Sequence, residues 1–220
     1  RTCLKRFVVE DVATHKQLPV TLPEDACPGV PQWSPDGRRF VFTNTTKERT
    51  ELWLGDALTG QVHRVDGVWV NPVLEDGVQW LHDSDSLLVK LVPDNLGPAP
   101  TAGVDAGPEI KESIQGKGES STYEDRDTLS SPEDEALFDY YATSQLAVVD
   151  VASGKVRPVG KPAVYSYVSG APDGVHVVME ALKRPYSYVT TYGRFAHDVS
   201  VLDVDTGKSI PIASLPVADR

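Results

Sequence analysis

The chain has 220 residues, 24% of them charged and 40% apolar, and a formal net charge of −11 at neutral pH. That length suits one large β domain or two smaller ones, and no apolar run approaches the about 18 residues a membrane-spanning helix needs. The acidic balance argues against nucleic acid as a partner, because a phosphate backbone calls for a basic face.

In chain order, residues 1–22 carry two short apolar runs, Arg6-Phe7-Val8-Val9 and Leu18-Pro19-Val20, around a turn near Ala13–Lys16. A longer unit then opens at Trp33-Ser34-Pro35-Asp36-Gly37. It continues through Phe40-Val41-Phe42 and Leu52-Trp53-Leu54, and turns at Asp56-Ala57-Leu58-Thr59-Gly60 before a last run at Val62–Val65. The unit returns with a degenerate head at Trp80-Leu81-His82-Asp83-Ser84-Asp85, keeping Leu87-Leu88-Val89 and the turn Asp150-Val151-Ala152-Ser153-Gly154. A third copy runs from Ala171-Pro172-Asp173-Gly174 through Val175–Met179 and Val199–Leu202 to the turn Asp203-Val204-Asp205-Thr206-Gly207. Pro-Asp-Gly and Asp-x-x-Thr/Ser-Gly between apolar runs are turns with a mechanism. The runs themselves favour Val, Phe and Trp, so each unit reads as four short antiparallel strands.

Four strands per unit of roughly 40–50 residues are what a β-propeller blade requires. One such sheet cannot bury both faces, so the blades must stack. The expected fold is therefore all-β: the end of one blade at 1–22, then blades at 28–66, 70–162 and 164–214. Three and a half blades fall short of a closed ring, which predicts a piece of a larger propeller of seven or eight blades.

Two insertions interrupt the repeat. In the second blade, 94–143 holds a Pro/Gly/Ala stretch from Gly97 to Gly103, which opposes regular structure. Ten acids against three bases then fill 109–139, giving −7 of the total charge. The end of this insertion, Ser131-Pro132-Glu133-Asp134-Glu135-Ala136-Leu137-Phe138, predicts a short helix with a Ser cap, Pro in the first turn and acids near its positive end. In the third blade, 183–197 is basic and rich in Tyr: Arg184, Tyr186, Tyr188, Tyr192 and Arg194. Both insertions join second to third strands, so strand parity puts them on one face, together with the links between blades. Their opposite charges make mutual pairing possible. For the basic loop two readings stand: arginines that brace the loop, or a substrate-binding cluster of Arg184 and Arg194 that takes a carboxylate while Tyr186 and Tyr188 wall off water.

Cys3 and Cys27 are compatible with a disulfide or with two free thiols. Asn44-Thr45-Thr46 fits a glycosylation acceptor pattern that also arises often by chance. His15, His63, His82, His176 and His197 show no metal-ligand spacing, and no cofactor or metal is expected.

The insertions resemble a known family. Leu137-Phe138-Asp139-Tyr140-Tyr141-Ala142-Thr143-Ser144-Gln145-Leu146, Arg184-Pro185-Tyr186-Ser187-Tyr188 and Gly193-Arg194-Phe195 look like the propeller of the glutamyl endopeptidase branch of the prolyl oligopeptidase family. Supporting pieces are Gly107-Pro108-Glu109-Ile110, Thr122-Tyr123-Glu124-Asp125, Gly160–Tyr165 and Ser214–Asp219. Two departures stand out: Tyr123-Glu124-Asp125-Arg126-Asp127 replaces the family's Tyr-Gln-Asp-Leu-Leu, and Gly170-Ala171-Pro172-Asp173 replaces a Ser-Pro-Asp head.

The resemblance implies a serine peptidase acting on peptides, after Glu, with this propeller gating access to its own C-terminal α/β-hydrolase domain. That domain would carry Ser, Asp and His, the Ser on a Gly-x-Ser-x-Gly elbow. No Gly-x-Ser-x-Gly occurs in the sequence, so no catalytic residue is assigned within it. A periplasmic or secreted setting is favoured over the cytoplasm. One rival reading is a non-enzymatic periplasmic propeller that binds protein partners. The other, an enzyme with its site on the propeller axis, would want His or carboxylates converging on innermost strands.

Overall fold

The turns do what their residues dictate. In the computed structural model, which describes residues 3–4, 6–101 and 128–218, Asp56 Oδ1 accepts from Leu58 N (2.9 Å), Thr59 N (2.8 Å) and Thr59 Oγ1 (2.9 Å). Asp150 and Asp203 repeat the arrangement. An Asp side chain that mimics a backbone turn leaves the following Gly to take the left-handed conformation, as Gly60 does at φ 69°. The degenerate head of the second unit keeps the same geometry without glycine. Ser84 takes φ 59° where Gly37 and Gly174 stand in the other copies, and its hydroxyl accepts from Asp36 N at 3.1 Å, tying two head turns together.

Between the turns lie β1 (Val8–Glu10), β2 (Gln17–Pro19), β3 (Gln32–Trp33), β4 (Arg39–Thr45), β5 (Thr50–Asp56), β6 (Val62–Val70), β7 (Val78–Trp80), β8 (Ser86–Leu91), α1 (Pro132–Ala142), β9 (Thr143–Asp150), β10 (Val156–Pro158), β11 (Ala163–Gly170), β12 (His176–Leu182), β13 (His197–Asp203) and β14 (Ser209–Leu215). Neighbours in each unit pair antiparallel: β3 to β6, β7 to β10, and β11 to β14. β1 and β2 form a separate hairpin. The fold is all-β, with propeller blades in an open sheet.

Strand parity sets the stacking. In β8, Leu87 and Val89 join Val41, Leu52, Leu54 and Val65 of the first unit, while Leu88 points the other way, to Tyr165, Val177, Met179 and Leu202 of the third. That two-sided burial is why β8 reads as a continuous apolar run. Phe40 and Phe42 carry the pattern back to Phe7 and Val9 of the first hairpin. Cys3 and Cys27 are disulfide-bonded with Cα atoms 4.9 Å apart, which settles the two possibilities that the sequence leaves open. Asn44 is buried, its amide accepting from Cys27 N and donating to Glu51. A side chain so enclosed is no glycan acceptor.

A charged group also enters this core. Lys90, on the same side of β8 as Leu88, is buried and donates to Leu74 O. Burial holds its ammonium below the usual lysine range, against the opposing pull of Glu75 and Asp76, and the bond pins the link between the first and second units.

Gly55 faces Phe40 so closely that an added Cβ would lie 2.1 Å from the ring. Since Phe40 is 1% exposed and cannot swing aside, Gly55→Ala is expected to cost about 1–3 kcal/mol of stability in urea denaturation. Gly37→Ala, where the turn is open, should lose less, through backbone strain alone.

Candidate functional site

Helix α1 begins where the sequence places its cap: Ser131 accepts from Asp134 N at 3.1 Å, with Pro132 following. It extends four residues beyond Phe138 and passes into β9 without a loop. The buried side chain of Asn71 fixes that junction, donating to Tyr141 O and Thr143 O, each at 2.9 Å. Glu135, Phe138, Asp139 and Ala142 share one helix face by their spacing. This face meets the insertion of the third unit.

The contact is a clamp. Arg184 Nε lies 2.8 Å and Nη2 2.6 Å from Asp139 Oδ2, and Nη1 pairs with Glu135. Tyr186 donates its hydroxyl to Asp139 Oδ1 at 2.5 Å. Beneath the charges, the Tyr186 ring stacks on Phe195 at 5.1 Å, and Phe138 meets both rings edge-on at 5.3 and 6.1 Å. Burial, then the Asp139 carboxylate, pushes the Tyr186 phenol far above its ordinary value. The Asp139 hydrogen bond raises Arg184 further above its already high value.

The four residues singled out in the sequence thus fall into different environments. Arg184 and Tyr186 are committed to the clamp. The Tyr188 phenol is raised by burial and then by Glu135 beside it, although the side chain stays 41% exposed. Arg194 sits on a 3-10 turn (Tyr192–Arg194) with its backbone held by Thr191 O and Ala218 N. Among the described residues no carboxylate lies within ion-pairing distance of Arg194. Phe195 and Asn71 matter as much to the site; Phe195 has a sequence signal in its Gly-Arg-Phe motif, whereas Asn71 has none. The motif pieces at Gly107–Ile110 and Thr122–Asp125, and the departure at 123–127, lie outside the described residues. So do most of the acids that give the insertion its charge. No cluster of His, Cys, Asp and Glu able to hold a metal occurs among the described residues, nor does any helix there have the length and apolarity to cross a membrane.

No family model matches the chain. Its sequence is similar to the probable glutamyl endopeptidase, chloroplastic, of Oryza sativa subsp. japonica: 32% identical over 210 residues, 90% of this chain and 22% of that protein. The protein of the same name from Arabidopsis thaliana is 30% identical over 224 residues, 93% of this chain and 23% of its own length. The chain is similar to a propeller segment of proteins named glutamyl endopeptidase. It spans less than a quarter of the length of the curated relatives it matches.

Solved structures agree on the fold. One described as part of a structural and mechanistic analysis of two prolyl endopeptidases matches at TM-score 0.56 and 11% identity, over 93% of this chain and 25% of that one. The β-propeller domain of the Trilobed protease from Pyrococcus furiosus matches at 0.52 and 16%, over 94% and 48%. TolB from Acinetobacter baumannii matches at 0.50 and 14%, over 95% and 38%. At such identities the likeness speaks for the fold alone. It is the sequence relatives that separate this propeller from scaffolds of the same shape. Both relatives are named as chloroplastic, which lends no support to a periplasmic or secreted setting.

Removing Phe195, 1% exposed under the clamp, should cost about 3–5 kcal/mol as Phe195→Ala. A double-mutant cycle on Arg184→Met and Asp139→Asn should return a coupling of roughly 1 kcal/mol, because the pair is half-exposed but well oriented. That coupling should shrink in high salt, whereas the Phe195 loss should not. Urea denaturation of each variant at low and high salt measures both.

Proposed function

We propose that this chain is the N-terminal propeller part of a serine peptidase that cleaves peptides after Glu and gates entry to an α/β-hydrolase domain. The observation that carries the reading is the sequence match over nine-tenths of the chain to proteins named glutamyl endopeptidase. The clamp supports it physically. Helix α1 and the insertion of the third unit, locked together by Arg184, make a rim against which a catalytic domain can close. A rim of fixed width admits extended peptides and excludes folded proteins.

In this reading Arg184 positions the loop. It already faces two carboxylates, and a substrate Glu would have to displace one. Arg194 is the cation left to meet an acidic side chain, with Tyr188 exposed nearby in sequence. A buried, unpaired substrate carboxylate would cost several kcal/mol, so a cation facing it has a large effect on choice between Glu and Gln.

The full-length enzyme provides the test. It should hydrolyse a Glu peptide in preference to its Gln counterpart and should be inactivated by serine-directed reagents, while the 220-residue chain alone hydrolyses neither. Arg194→Met should lower kcat/KM for Glu by about 10-fold or more, roughly 1.4 kcal/mol, and leave Gln nearly unchanged. Arg184→Met should lower both equally. Equal losses from both variants on both peptides would make the arginines structural and put acid recognition elsewhere. Hydrolysis by the isolated chain would overturn the division of labour altogether.

A further inference from the structure

The opposite side of α1 borders a second feature that the peptidase reading does not use. A cavity of about 640 Å³ opens between the β4–β5 hairpin, the end of β6 and the helix, with Tyr140 and Tyr141 forming its helix-side wall. Those rings meet edge-on at 5.0 Å, and the Tyr140 hydroxyl is tied to Gly97 O at 2.9 Å. On the other side, the Arg49 guanidinium lies 4.1 Å above the Trp69 ring. Val73 and Val92, 47% and 42% exposed, supply apolar surface in between.

Arg49 is held in place from two directions. The hairpin tip is closed by Thr46, whose N and Oγ1 both donate to Arg49 O, while Arg49 N donates to Thr46 Oγ1. Stacking on Trp69 then orients the guanidinium plane. Among the described residues only one of its donors has an acidic partner, Glu48 at 3.3 Å, and both side chains of that pair are exposed. An exposed pair of this kind contributes about 0–1 kcal/mol, so a better-placed carboxylate can replace it. Charge is balanced around the cavity, Lys47 and Arg49 against Glu48 and Asp94. The lining therefore suits one carboxylate with an apolar neighbour and disfavours a polyacid.

We propose that this cavity is a peptide-binding site, apart from the basic insertion, which takes one acidic side chain on Arg49 and an adjacent apolar side chain against Tyr141, Val73 and Val92. A volume of this size is within the range of ordinary ligand pockets, and Arg, Trp and Tyr are the side chains that anchor such contacts. Its place beside α1 lets it hold a peptide segment away from the bond being cut.

Binding can be read without cleavage. A fluorescent peptide with a single Glu next to Leu, its following peptide bond N-methylated, is titrated into the full-length protein carrying Arg194→Met, so that the cation assigned to cleavage specificity is gone, and followed by anisotropy beside its Gln twin. The expected result is Glu binding at least about 10-fold tighter than Gln, a difference that Arg49→Met removes and Arg49→Lys largely removes, since an ammonium lacks the fork. Tyr141→Ala should weaken both peptides several-fold. Val73→Asp, which leaves Arg49 intact, should weaken Glu more than Gln and guards against a folding defect in the first variant. Equal affinity for the two peptides, or a preference that survives Arg49→Met, overturns the proposal. A preference that appears only when Arg194 is restored does so too, and moves the site to the basic insertion. Cleavage after Glu is measured separately, so loss of one reading leaves the other standing.

Discussion

A four-stranded β-sheet has two apolar faces and no means of covering either one by itself, and everything else in this molecule follows from that. Leu87 and Val89 need the first unit and Leu88 needs the third, so the strands must stack in a fixed order and at a fixed parity. Stacking in turn decides where the connections go. Turns of one kind gather on one face, and the inter-unit links, the hairpin at Thr46–Arg49 and both insertions gather on the other. Function is free to collect on that second face because the core makes no demand on its loops.

Helix α1 shows how much can then rest on a single element. One side carries Glu135 and Asp139 to Arg184, the other carries Tyr140 and Tyr141 to the cavity beside Trp69, and its C-terminal end is bonded to Asn71 of the inter-unit link. The clamp and the cavity thus share a support. Polar satisfaction keeps it rigid: the cap, the Asn71 amide and the Lys90 ammonium each occupy backbone groups that would otherwise be stranded near the core.

Charge separates the three arginines. Arg184 has its full complement of acid, which favours a positioning role. Arg49 and Arg194 keep donors that the described residues do not saturate, which favours recognition. All are guanidiniums on the same face, and the difference among them lies entirely in which carboxylates the fold brings near.

The sequence by itself determined the blades, because turn chemistry is local: Asp56, Asp150 and Asp203 each close a turn with residues two and three positions on, whatever the rest of the chain does. The N-cap at Ser131 was legible for the same reason, and so was the likeness to glutamyl endopeptidases, through the short motifs of the two insertions. Other features depended on approach between residues far apart in the chain. The pairing of Cys3 with Cys27 was open until the first hairpin docked on Phe40 and Phe42. Ser84 does a glycine's work that its own residue type conceals. Asn71 and Lys90 look like ordinary polar residues until burial leaves them facing carbonyls. Arg184 could brace or bind, as far as its neighbours in sequence tell. Only tertiary structure brought Asp139 against it, because side-chain charge is local, whereas the partner that neutralises it is chosen by the stacking of whole sheets.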